Sequence, residues 1–104
     1  MTITLRIGGK ARMFVSEFVS ARMLRRTIEI SKTINFQDIS VKELDIMVEY
    51  LVQLFQKQFT VDDVYDGLTS RQLVPTLIGC IQEVVGNLNE ETTDDTGSGE
   101  EKND

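Results

Sequence analysis

Residues 40–58 read SVKELDIMVEYLVQLFQKQ, and this stretch decides the fold. Its apolar residues recur at steps of three and four, the spacing of one face of an α-helix; they are Val41, Leu44, Met47, Val48, Leu51, Leu54 and Phe55. Ser40 followed by Glu43 is a capping box, so the sequence predicts a helix that begins after Ser40 and runs to about residue 58. Tyr50 and Val52 widen the apolar stripe to more than half of the circumference.

A stripe this wide has two interpretations, which the sequence leaves open. The helix is central to the protein's own core, or part of it is covered by another chain. The second interpretation predicts a partner-binding groove formed by Met47, Leu51, Leu54 and Phe55, in which methionine helps the surface to accept varied helices.

The N-terminal part of the chain predicts a β-hairpin followed by a helix. Residues 2–7 alternate between apolar and polar, Gly8-Gly9 suits a tight turn, and residues 12–15 supply a second short strand. Helical spacing follows over residues 20–34, with Ser20 as N-cap. We expect an apolar line of Ala21, Leu24 and Ile28 with Met23, Ile30 and Ile34 beside it, opposite a polar face that contains the neighbouring arginines.

Two more capping boxes organise the second half. Thr60 with Asp63 begins a short helix that Gly67 stops, and Thr69 with Gln72 begins a last helix that ends near Gly86-Asn87. Pro75 falls in the second turn, so either the first turn is loose or the helix proper starts near Val74. Residues 89–104 are rich in Asp, Glu, Thr, Ser and Gly, which predicts a disordered acidic tail.

The predicted fold class is therefore mainly α: a short N-terminal hairpin, three to four helices and an acidic tail. The chain has 104 residues, and residues 1–88 are expected to form one domain. No basic-then-apolar leader and no long apolar run is visible, which argues against secretion and membrane insertion. A single cysteine and no histidine favour a reducing compartment.

The net charge of −6 is unevenly distributed. Residues 1–37 have a net charge of +5, residues 38–89 of −5, and residues 90–104 of −6. This layout favours self-association or internal docking, and we expect a homo-oligomer. The candidate self-association residues are Arg22, Arg25 and Arg26 on one side and Asp62 and Asp63 on the other.

The residue types argue against catalysis and cofactors. Without histidine, the chain lacks the usual partner that activates a Ser or Cys nucleophile, and Cys80 is expected to be a buried structural thiol. Asp62, Asp63 and Asp66 lack the spacing of a calcium loop, and Gly8-Gly9-Lys10 lacks that of a phosphate loop. The acidic total argues against nucleic acid as the main partner, and a small DNA-binding regulator based on the arginines is the weaker alternative.

Three segments carry a resemblance to a known family: the opening strand with its glycine turn (residues 3–10), FTVDDVYDGL (residues 59–68), and RQLVPTLI (residues 71–78) continuing to Gly86 before an acidic end. Over about residues 1–88 the chain resembles the tail assembly chaperones of long-tailed bacteriophages that infect Gram-positive bacteria. The resemblance implies a protein without enzymatic activity that binds the tape measure protein, keeps it soluble and helps to recruit the major tail protein. It also implies a location in the host cell cytoplasm and absence from the mature virion. A small structural or head–tail assembly protein is the alternative.

Overall fold

The computed structural model describes the backbone of residues 1–94 and the side chains of residues 1–86. Two strands are followed by four helices, which confirms the predicted fold class. The elements are β1 (Thr2–Ile7), β2 (Lys10–Val15), α1 (Ala21–Thr33), α2 (Val41–Leu54), α3 (Val61–Gly67) and α4 (Ser70–Asp94). No helix among the described residues is long and apolar enough to cross a membrane.

The hairpin forms because its turn consists of two glycines in the left-handed region. Gly8 and Gly9 have φ values of 62° and 80°, which residues with a side chain rarely adopt. β2 pairs antiparallel with β1, with Ile7 opposite Lys10 and Ile3 opposite Phe14. The second strand therefore starts at Lys10, two residues earlier than predicted, since a two-residue turn leaves no further residue unpaired.

Helix α3 approaches β1 so closely that a glycine is required between them. A Cβ atom added to Gly67 would lie 3.1 Å from the backbone N and O of Arg6 and from Cβ of Leu5. Any side chain at position 67 would therefore push α3 away from the strand. Gly67 thus has a packing role in addition to its predicted role at the end of the helix.

The predicted capping boxes are all formed. In α2, Ser40 Oγ accepts from the Glu43 N–H at 3.1 Å, and Glu43 Oε1 accepts from the Ser40 N–H at 3.0 Å. The bond from the Ser40 N–H also holds the pKa of Glu43 below its ordinary value. The reciprocal bonds of Thr60 with Asp63 and of Thr69 with Gln72 fix the starts of α3 and α4.

The apolar face of α1 was predicted only in part. Ile30 and Ile34 are buried as expected, but Ala21 is exposed, Ile28 is 36% exposed, and the polar Thr27 is buried. Thr27 Oγ1 donates to the Met23 carbonyl at 2.7 Å, so the 2.7 Å bond that joins it to Tyr50 has the phenol as its donor. Thr27 can lie on the buried face of α1 because its hydroxyl and that of Tyr50 satisfy each other inside the core.

Two helix ends also differ from the prediction. α2 ends at Leu54, before residue 58, because Gln56 and Lys57 turn into the left-handed region with φ values of 56° and 59°. α4 continues through Gly86-Asn87 to Asp94, beyond its predicted end; residues 95–104 of the predicted acidic tail lie outside the described residues. Gly86 does not have the positive φ of a helix-ending glycine.

Pro75 lies inside α4 without stopping it, so the helix begins with its capping box and not near Val74. A proline lacks the N–H that would bond to the carbonyl four residues earlier, here that of Arg71. Arg71 and Pro75 are both exposed, and water can therefore bind this carbonyl.

One contiguous core joins both strands and all four helices, with α2 at its centre. Tyr50, Leu51, Leu54 and Phe55 are completely buried there. The other elements contribute Leu5, Phe14, Ile30, Val64 and Leu77, among others. The hairpin is therefore covered on one face only, and this leaves its other face available as a surface.

Candidate partner-binding surface

The residues expected to line a groove on α2 lie inside the protein. Met47, Leu51, Leu54 and Phe55 are each 0% exposed. Helices α1, α3 and α4 pack against α2 and the hairpin belongs to the same core, so the wide apolar stripe of α2 is occupied by the chain's own side chains. This corrects the expectation of an accessible groove: a partner could contact these four side chains only if the core opened.

Accessible apolar side chains are found elsewhere among the described residues. Met13 is 69% exposed, Val15 41% and Phe18 73%, and all three belong to β2 or to the segment that follows it. We call Met13, Val15 and Phe18 the β2 apolar strip. The two other large exposed apolar residues, Ile28 at 36% and Val41 at 77%, lie on α1 and at the start of α2.

The pairing of β2 explains why two of these side chains face outward. Phe14 is buried opposite Ile3 and packs edge-on against Phe59, with ring centroids 5.0 Å apart. Successive strand residues point to opposite faces of a sheet, so Met13 and Val15 are turned away from the core. The residues opposite them on β1 are Thr4 and Thr2, which are also exposed.

A polar junction holds the segment after β2 in place. Ser16 is buried, its backbone pairs with that of Met1, and its hydroxyl donates to the Leu54 carbonyl at 2.9 Å. Gln56 Nε2 lies within hydrogen-bonding distance of Ser16 Oγ (3.2 Å), the Phe18 carbonyl (3.0 Å) and the Leu54 carbonyl (2.9 Å). Phe18 is therefore exposed on a segment whose backbone is tied to the end of α2.

Backbone strain accompanies this junction. Gln56 and Lys57 are the only described residues other than glycine with positive φ, and such a conformation costs about 1 kcal/mol or more per residue. The strained turn directs the Gln56 amide towards residues 16–18, and Gln58 Nε2 donates to the Val15 carbonyl at 2.7 Å. The surroundings thus stabilise a conformation that local preference disfavours, and the result is a fixed position for the β2 apolar strip.

The predicted self-association residues lie on α1 and α3. Arg22 and Arg25 are exposed, and Arg26 pairs with Glu29 at 3.6 Å. On α3, Asp62 is exposed, whereas Asp63 accepts the N–H of Thr60 in its capping box. Pairing of these arginines and aspartates between two copies stays a prediction.

The thiol of Cys80 and the phenol of Tyr65 both stay protonated near neutral pH. Cys80 is buried, and this burial raises the pKa of its thiol to about 11. Burial also raises the pKa of Tyr65 to about 12, with a further contribution from its hydrogen bond to Asp45. No group of three or more His, Cys, Asp and Glu residues among the described side chains could hold a metal ion.

Sequence reasoning missed the β2 apolar strip, although a signal was present. Once β2 is extended back to Lys10, its alternation places Met13 and Val15 on the face opposite Phe14. For Phe18 the sequence contains no such signal, because its position depends on hydrogen bonds to Gln56, which is distant along the chain.

Comparison with known proteins gives one match. A family model described as phage tail chaperone protein matches residues 1–103. Neither the curated proteins nor the solved structures contain a significant match to the chain.

Proposed function

Since this match shows that the chain belongs to the phage tail chaperone protein family, we propose that it is a tail assembly chaperone that binds the tape measure protein and keeps it soluble. The description of the family supports a non-enzymatic role, and the buried Cys80 agrees with it. We extend the proposal to a phage with a long tail and a Gram-positive host, and to the major tail protein as a second partner.

The observation that carries a binding role is the exposure of the β2 apolar strip. Met13 and Phe18 are both about 70% exposed, although methionine and phenylalanine are among the residues most often buried. Phe18 lies on a backbone that Gln56 holds in place, so little conformational entropy remains to be lost when a partner binds. Aromatic residues such as phenylalanine are enriched at protein interfaces.

The chemistry of the β2 apolar strip fits the apolar face of an amphipathic helix. Methionine is unbranched and can repack against clients of varied sequence. A long helical protein that must remain soluble before its tail tube closes around it presents many such faces. Each copy of the chaperone would then cover one segment of the client by helix-to-surface packing.

The test is co-expression with the tape measure protein of the same phage, followed by pull-down and a solubility assay. The double variant Met13→Ser/Phe18→Ser should lose soluble client, with affinity lowered by roughly 30-fold or more, since hot-spot truncations cost about 2 kcal/mol. Val41→Ser is the matched control, because Val41 is 77% exposed but lies at the start of α2.

The outcomes separate the proposal from its alternatives. Loss of client by the double variant but not by Val41→Ser supports the proposal, provided that both variants unfold at the same temperature as the unaltered chain. Equal capture by all three proteins would contradict the assignment of the surface, and an insoluble client in every case would contradict the chaperone role. Mass spectrometry of purified virions tests the location: a chaperone of the host cytoplasm should be absent, whereas a structural tail component should be detected.

A further inference from the structure

Basic side chains lie on both faces of the hairpin at its turn end: Arg6, opposite Ala11, is on the outer face, and Lys10 and Arg12, opposite Ile7 and Leu5, are on the other. Arg6, Lys10 and Arg12 flank the Gly8-Gly9 turn and are all exposed, and residues 1–16 contain no Asp or Glu. None of the described carboxylates forms an ion pair with these three side chains. The Arg12 guanidinium lies 5.4 Å from the centre of the Phe14 ring, which limits its motion. We call Arg6, Lys10 and Arg12 the basic turn.

A cleft beside the basic turn adds hydrogen-bonding groups. It is lined by Arg6 and by polar side chains of Thr4, Thr69 and Gln72. Asp66 also lines it and is its one acidic member. A cationic rim with hydroxyl and amide groups suits carboxylates, and Asp66 opposes their binding through like-charge repulsion.

The direction of α4 places the acidic end of the chain far from the basic turn. Gln72 and Arg6 line the same cleft, whereas Glu83 lies 3.7 Å from the N-terminal amine of Met1. Helix α4 therefore runs antiparallel to β1, away from the turn. It continues to Asp94, about 16 Å beyond Glu83 at 1.5 Å per residue. Residues 90–104 carry seven acidic side chains and one basic one.

The length of α4 argues against binding within one molecule. The 23 residues from Gln72 to Asp94 extend for about 33 Å of helix. Residues 90–94 lie on this helix, so they are held away from the cleft of their own copy. The acidic end of a second copy has no such restriction.

We propose that residues 90–104 of one copy bind the basic turn and its cleft on the next copy, so that molecules associate head to tail. Two different surfaces meet in this arrangement, which leaves a free basic turn at one end of the assembly and a free acidic segment at the other. Pairing of Arg22, Arg25 and Arg26 with Asp62 and Asp63 is the competing arrangement. The basic turn is favoured over it because Arg26 already has Glu29 as a partner.

Two variants test the proposal by sedimentation velocity: one removes the charges of the basic turn, and the other removes those of the acidic segment. The head variant is Arg6→Gln/Lys10→Gln/Arg12→Gln, and the tail variant replaces the acidic residues of 90–104 by their amides. The unaltered chain should self-associate at about 0.05 M salt and dissociate by about 0.5 M. Each variant alone should associate at least tenfold more weakly. Mixed together, they should form one-to-one dimers, because each supplies the end that the other lacks.

Three further measurements complete the test. Arg22→Gln/Arg25→Gln/Arg26→Gln removes the same charge from α1 and should leave association unchanged, and Asp66→Asn should strengthen it severalfold. The proposal is overturned if the mixture remains monomeric, if the α1 variant alone loses association, or if the unaltered chain is monomeric at low salt. The head and tail variants should still capture the client through the β2 apolar strip, so failure of this inference is distinguishable from failure of the proposed function.

Discussion

Helix α2 and the β2 apolar strip are both rich in large apolar side chains, but they lie in opposite environments. Leu51 of α2 and Phe55, directly after its end, are 0% exposed, whereas Phe18 of the strip is 73% exposed. The hairpin and the other three helices cover the apolar stripe of α2, while Lys42, Asp45 and Glu49 remain exposed on its other side. The hairpin has only two strands and packs through one face. A wide apolar stripe on a helix therefore indicates a central position, and a few apolar residues on the free face of a small sheet are the better sign of a partner.

The largest expected effect comes from shortening a side chain of α2. Leu51→Ala should lower the free energy of unfolding by about 2–5 kcal/mol, because it removes buried methyl groups and leaves a cavity. Phe18→Ser should change stability by less than about 0.5 kcal/mol, since an exposed side chain loses few contacts on substitution. Urea unfolding of the two variants gives both values.

The contrast between α2 and the β2 apolar strip would be contradicted if the two variants gave the opposite results. A Leu51→Ala chain as stable as the unaltered one would mean that α2 is not packed as the structure shows. A large loss of stability for Phe18→Ser would mean that the β2 apolar strip is part of the fold and not a free surface. Client capture by Leu51→Ala can be interpreted only at temperatures where this variant remains folded.

Much of the fold was predictable because its signals are local. The three capping boxes and the Gly8-Gly9 turn each involve residues within three positions of one another, and all of them form. The burial of Thr27 on α1 was not predictable in this way. It depends on the hydrogen bond from Tyr50 to Thr27, and no pattern within α1 reveals that a threonine will be buried.

The candidate surface was harder to predict than the fold for the same reason. Amphipathic periodicity reports how apolar an element is, but not how many neighbours will cover it. The sequence identified Met47 and Leu51 as apolar at helical spacing, and only their contacts with the other elements show that this face is already occupied. Gln56 carries no recognisable motif, although its amide positions Phe18.

The next largest expected effect is a loss of stability at high pH, which arises from Cys80 in the core. Burial raises the pKa of Cys80 from 9.0 to about 11, the carboxylate of Glu83 adds to the shift, and the N-terminal amine opposes it. The folded chain thus keeps a proton that the unfolded chain loses. The stabilisation is complete below about pH 9 and is lost as the pH rises through 11, by on the order of 2 kcal/mol in total.

Urea unfolding between pH 7 and pH 10 measures this loss. The Cys80→Ala chain should show a flatter dependence of its unfolding free energy on pH over this range. Tyr50 and Tyr65, whose pKa values are also raised, begin to contribute as the pH approaches 10, but both chains keep them, so the difference between the two slopes reports the thiol. Equal slopes for the two chains would show that the thiol is not the responsible group.

The smallest expected effect concerns the junction that holds the β2 apolar strip. Gln56→Ala removes the amide that bonds to Ser16, Phe18 and Leu54. It leaves the left-handed backbone as strained as before, since alanine has the same steric restriction as glutamine there. The cost in stability should be about 1 kcal/mol or less, because these bonds are partly exposed.

Amide hydrogen exchange at residues 16–19 should nevertheless accelerate, and client affinity should fall with it if a fixed Phe18 matters for binding. Gln53→Ala, an exposed glutamine within α2, is the control and should alter neither exchange nor affinity. Faster exchange with unchanged affinity would mean that Phe18 binds equally well from a mobile segment, and that the strained turn after α2 serves the fold alone.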